Sequence, residues 1–162
     1  MRRELYGKIK ERLEALCVDA AGMYYDATAE DMVGADCTEQ ERVIKHIDLW
    51  NRNVEFIEQD TPWARPAVFI EMEPVQWRSI VPGVEYRAEA RVRLHIVTDW
   101  AADAADAGGI FELPERIHDV LAGLEGESFR DMTLDESVTN HDHEEIVESI
   151  EVYSFIAIKS LG

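Results

Sequence analysis

Few side chains in this sequence stand where chemistry could start. The densest group is His141-Asp142-His143-Glu144-Glu145. Residues two apart on a strand project to the same side, so His141 and His143 could offer two imidazoles to one ion. Two ligands do not complete a metal site, and a third would have to come from elsewhere in the fold. A solvated hairpin turn accounts for the same polar run without any ion. No metal or other cofactor is therefore assigned. His95 falls on the charged side of a strand beside Arg93 and Val97, and His118 follows a core-type Ile117 on a helix flank. Neither has a serine or cysteine motif to activate as a nucleophile. Cys17 reads as a small core residue closing the first helix. The chain has no Gly-rich phosphate loop, nucleophile elbow or HExxH pattern, so no catalytic residue is assigned.

Recognition chemistry is better represented. Trp77, Ile80 and Val81 fall in a short segment between two strands. An aromatic anchor with two β-branched residues at a protruding tip is costly to leave in water, and tryptophan is enriched where proteins meet. Packing back onto its own sheet is the competing reading. Arg87, Arg91 and Arg93 form a row interleaved with Glu85 and Glu89. Such a row is either a solvated sheet face with cross-strand ion pairs or a polar interface between subunits. These six residues are the interface candidates.

The elements that must position them follow from periodicity. Leu5, Ile9, Leu13 and Leu16 predict an amphipathic helix that covers one face of a sheet. Residues 19–43 are acidic and loosely patterned, an irregular segment with room for one short strand. Residues 43–50 read as a strand, and 54–59 as a short helix or a strand continuation closed by Pro62. In Pro66-Ala67-Val68-Phe69-Ile70-Glu71-Met72-Glu73-Pro74, Val68, Ile70 and Met72 share one face of a strand bracketed by prolines.

The strict alternation over 84–98 puts Tyr86, Ala88, Ala90, Val92, Leu94 and Ile96 on one side. Glu85, Arg87, Glu89, Arg91, Arg93 and His95 take the other, wet side. Together with the preceding strand it predicts a long hairpin with an extended tip. A run of Ala, Asp and Gly over 101–109 reads as a mobile loop. A helix over 112–124 has Pro114 in its first turn and Gly126 past its end. Two strands, 129–138 and 146–158, close the chain. The fold class expected is α+β: one domain over 1–162, a mainly antiparallel sheet, and two amphipathic helices packed on one face.

Bulk properties narrow the partners. The 162 residues carry 34 acidic and 16 basic side chains, a formal net charge of −18. That surface repels nucleic acid and anionic lipid, so neither sequence-specific nucleic-acid binding nor membrane binding is expected. The N-terminus lacks a signal-peptide core or spanning segment, which predicts a cytoplasmic protein with two reduced, unpaired thiols.

The order of elements resembles the tail-terminator and tail-completion proteins of long-tailed bacteriophages. The likeness rests on the first helix and on the Pro-flanked Ala67-Val68-Phe69-Ile70-Glu71. It extends through the strand ending His95-Ile96-Val97-Thr98-Asp99-Trp100, the Ala/Asp loop, the helix Leu113-Pro114-Glu115-Arg116-Ile117-His118-Asp119-Val120-Leu121 and the closing hairpin. The acidic segment 19–43 is longer than that pattern. The resemblance implies a non-enzymatic virion-assembly protein of a phage or prophage. Such a protein forms a ring with copies of itself, a hexamer in many cases, and docks to the tail tube and connector. It would be cytoplasmic during assembly and then part of the virion. Two other classes stay open: a metal-dependent or small-molecule enzyme using His141 and His143, and an acidic module that captures a basic partner.

Overall fold

The computed structural model describes residues 1–28, 37–51, 63–99, 107–140 and 146–161. Helix α1 (Arg2–Glu14) forms as the spacing of Leu5, Ile9 and Leu13 predicts, and all three side chains are fully buried. The chain turns at once into β1 (Leu16–Val18), which pairs antiparallel with β2 (Tyr24–Asp26). Asp19 closes that turn by accepting the backbone N–H groups of Ala21 and Met23, the local bonding that makes aspartate a turn residue.

Cys17 thus sits on a strand and not at the helix end. It is disulfide-bonded to Cys37, with Cα atoms 6.1 Å apart, inside the bridging range. The expectation of two reduced thiols is corrected. Periodicity could not show that the chain comes back to β1, where an isolated bridge also joins Cys17 to Arg42. Part of the acidic stretch is therefore ordered by a two-stranded sheet and a covalent tie.

The second sheet holds the remaining strands. β3 (His46–Leu49) pairs parallel with β4 (Ala67–Met72), a departure from hairpin-only connectivity. The expectations for 54–59 and Pro62 lie outside the described residues. β5 (Arg78–Val81) and β6 (Glu85–Asp99) make a tight hairpin turned by Gly83 at φ +73°, a conformation glycine adopts without steric cost. β6 also pairs antiparallel with β4, from Met72 against Val92 to Ala67 against Val97.

Helix α2 (Ala107–Leu121) begins five residues before the expected start, so Pro114 lies inside the helix and not in its first turn. Three residues of the expected Ala/Asp/Gly loop belong to the helix; 101–106 lie outside the described residues. Gly123, at φ +73°, takes the left-handed position after the helix that had been expected of Gly126. β7 (Phe129–Asn140) and β8 (Ile146–Ser160) complete the set. The strand order is β3-β4-β6-β8-β7, with β5 paired to β6. The architecture is α+β with a mainly antiparallel large sheet.

One main core joins Leu5, Ile9 and Leu13 of α1 and Leu113, Ile117 and Leu121 of α2 to Val68, Ile70, Val92, Leu94, Ile96 and Tyr153. The apolar side of the alternation in β6 belongs to this core. Facing positions in β8 contribute Tyr153, Phe155 and Ala157, while Ile150, Ile156 and Ile158 remain half-buried on the opposite face. A second, smaller cluster of Ala67, Phe69, Val97 and Ile146 lies on that opposite face, with Trp50 and Trp63 packed against it.

Candidate functional site: the two ends of the long strand

β6 spans fifteen residues, and its two ends differ in what surrounds them. At its start, the β5–β6 hairpin carries every residue of β5 exposed. Ile80 is 52% exposed, Val81 43%, Val84 48% and Trp77 37%. The backbone N–H of Leu161 bonds to the carbonyl of Val84, bringing another exposed leucine to the same end. Trp77 reaches the rim of an open groove of about 500 Å³ also lined by Arg2, Val75, Ile158 and Lys159. Trp77, Ile80 and Val81 are thus each exposed at or just before the hairpin, with Trp77 and Ile80 lining separate clefts.

The arginine row lies farther along the same strand. Arg87 donates to Glu85 at 2.8 Å, Arg93 donates to Glu73 at 3.2 Å, and Arg91 lies 3.0 Å from Asp135 and 3.2 Å from Glu136. Glu73, Asp135 and Glu136 come from the strands or strand ends on either side, so these guanidiniums bind carboxylates of their own chain. At this exposure such pairs contribute at most about 1 kcal/mol each. They fix side-chain positions more than they stabilise the fold.

The far end of β6 is different. His95 was expected on a wet face; it is only 4% exposed. Its Nδ1 lies 2.7 Å from Glu148 Oε2 and its Nε2 2.8 Å from Glu71 Oε2. Asn140 donates to the other oxygen of Glu148 at 2.8 Å. Trp50 lies flat over the imidazole, with ring centroids 3.7 Å apart and planes 2° from parallel. Trp63 and Phe69 meet edge to face beside it at 4.9 Å. Four strands and the residue after β3 therefore converge on one imidazole. A ring with a carboxylate oxygen at each nitrogen satisfies both bonds by donating two protons, or by donating one and accepting one from a protonated carboxyl. The stacked Trp50 and the two carboxylates tie the ring to β4, β8 and the end of β3.

A second polar group sits under α2. Ser137 donates to Glu151, whose carboxyl is pushed up by burial despite that bond. The phenol of neighbouring Tyr153 is likewise pushed up, first by burial and then by the charges of Glu151 and Asp119. His118 stacks on Tyr153 at 6.2 Å, half-buried at the flank where its sequence position put it.

His141 and His143 lie outside the described residues. Among the described residues no group of three His, Cys, Asp or Glu is placed to hold a metal ion. No helix among them is long and apolar enough to cross a membrane. The His95 cluster escaped sequence reasoning because its partners Glu71 and Glu148 lie 24 and 53 positions away. The available signal was Glu148 sitting on a mostly apolar strand face. No family model matches the chain, and no curated protein matches it.

Proposed function

We propose that this is a non-enzymatic assembly subunit, resembling phage or prophage tail terminators, that works by associating with copies of itself and docking to tail-tube and connector proteins. One observation carries the reading: Trp77, Ile80, Val81 and Val84 are exposed apolar side chains at and beside the β5–β6 hairpin. Exposed apolar and aromatic side chains gathered at one hairpin favour burial against another protein. In this reading both helices pack on one face of the sheet, the long hairpin projects past it, and the ion-paired row of Arg87, Arg91 and Arg93 helps set the register between subunits. The charge of −18 suits a ring whose channel passes DNA without retaining it. The assembly forms in the cytoplasm and is carried into the virion.

Light scattering over a wide concentration range tests this. The expected result is a concentration-dependent rise in mass that Trp77→Ala weakens. A strict monomer at every concentration, unchanged by that substitution, rejects it.

A further inference from the structure

Three strand edges of the large sheet, those of β3, β5 and β7, carry no partner strand among the described residues, and the chemistries of β5 and β7 are opposite. β8 pairs with β6 along its whole length, from Glu85 against Ser160 to Asp99 against Ile146. β5 must therefore lie on the side of β6 that β4 occupies, with its own outer edge open among the described residues. β7 ends the sheet on the other side, its outer edge likewise open. An open edge is a row of unpaired backbone donors and acceptors, a template for another strand.

β7 is partly guarded. Its register against β8 shifts between Arg130 and Thr133 and again between Leu134 and Glu136, and Asp131 has φ +60°. Such bulges bend a strand and discourage pairing. From Glu136 to Asn140, however, the register is regular, against Val152 to Glu148. This five-residue stretch is long enough for the four residues of β5.

The side chains are complementary. β5 presents Ile80 and Val81 with Arg78, a cation that has no ionic or hydrogen-bond partner among the described residues. On its regular stretch β7 presents exposed Val138 and Glu136, a half-exposed carboxylate that also pairs with Arg91 of its own chain. Pairing β5 with a second β5 would set arginine near arginine, and pairing β7 with β7 would gather the carboxylates of both copies. Like charges across a strand pair are destabilising and opposite charges favourable. For copies that each carry −18, contact must form where the local charges attract.

We propose that the β5 edge of one copy adds to the Glu136–Asn140 edge of β7 on a second copy, continuing the sheet from subunit to subunit. The contact is heterologous: each copy uses one edge to give and the other to receive. Repeated around an axis it closes a ring, and otherwise it runs on as a filament. The inference rests on the self-association proposed above and names its surfaces.

Cross-linking separates the two claims. Ile80→Cys and Val138→Cys variants, with the Cys17–Cys37 disulfide retained, are each oxidised alone and as a mixture, and the linked peptides are mapped by mass spectrometry. Links that join the Ile80→Cys chain to the Val138→Cys chain through their introduced thiols are expected, with no link in either variant alone. Links of either variant to itself, or assemblies by light scattering without any mixed link, overturn the edge pairing and leave self-association standing. Absence of assemblies and of links rejects both. Arg78→Glu is expected to raise the concentration of half-assembly about tenfold, and an unchanged value overturns the assigned complementarity.

Discussion

The two ends of β6 share one alternating pattern and have opposite fates. Around Arg87 the outward side chain stands in water and pairs with its neighbour Glu85. Eight residues on, His95 occupies the same side of the same strand and is buried under Trp50 with a carboxylate at each nitrogen. The strand does not change between these points; what covers it does. Trp50 and Trp63 pack on Phe69 and Val97 at one end, while β5 leaves the other end exposed. Alternation fixes which way a side chain points, and a distant segment decides whether that direction leads to solvent.

The largest effect should come from breaking the covered end. His95→Ala removes the partner that buried Glu148 shares with part-exposed Glu71, and removing one member of a buried charged pair costs about 3–5 kcal/mol. Arg87→Ala, the matching change at the open end, should cost less than about 1 kcal/mol. Urea unfolding of both variants measures the contrast. Equal losses would mean that Trp50 does not shield the cluster and that the two ends are energetically alike.

A second case of concealed coverage is the Cys17–Cys37 bond. Cys17 is fully buried, and the bond spans a sequence separation of 20. Closing a loop of that length is worth about 3 kcal/mol through restriction of the unfolded chain. Cys37→Ser should lower the urea midpoint accordingly and make it insensitive to reducing agent. If wild type itself shows no response to reduction, the loop is not covalently closed in solution.

These two features mark the limit of what the sequence makes legible. The helix stripe of Leu5, Ile9 and Leu13 and the apolar side of β6 were readable because each pattern is local and its burial follows from its own period. The apolar tip was legible as a segment, but its exposure was not, since packing back onto the sheet fitted the same residues; the structure leaves Ile80 and Val81 exposed. The parallel β3–β4 pair, the disulfide and the His95 cluster all join positions far apart in the chain. Nothing in the spacing near His95 distinguishes it from Arg93, which stays half-exposed. The early start of α2 was hidden by Ala107, Gly108 and Gly109, whose composition favours a loop although they form the first residues of the helix.

The open end has its own lock, and acid should loosen it. Glu4 accepts from the hydroxyl of Ser128 and from the backbone N–H groups of Glu127, at 2.6 Å, and Ser128, at 3.0 Å. The Ser128 hydroxyl chiefly, with those backbone groups, holds the Glu4 carboxyl below its ordinary 4.5. Because the folded state depresses this value, the stabilisation is complete above the unfolded value and is lost as pH falls through the folded one. Wild type should therefore lose stability below about pH 4.5, and Glu4→Gln should lose less over the same range. Parallel acid titrations by circular dichroism check this. Gly126 must stay small beside this lock, since a Cβ there would stand 2.7 Å from Glu4 Cδ and 2.8 Å from the Phe129 ring.

The smallest expected effect on folding is the most informative about the open end. Ile80→Ser removes an exposed apolar side chain, 52% accessible, from a strand bonded to the sheet along one edge only among the described residues. Surface changes away from caps, cavities and buried polar groups stay within about 0.5 kcal/mol, so its unfolding curve should overlay that of wild type. Its association should not. If Ile80 serves association, as proposed above, the substitution acts there and not on the fold. Unfolding and sedimentation measured on the same preparation separate the two roles. A large loss of stability with unchanged association would make Ile80 part of the fold, and the contrast between the ends of β6 would then be one of degree.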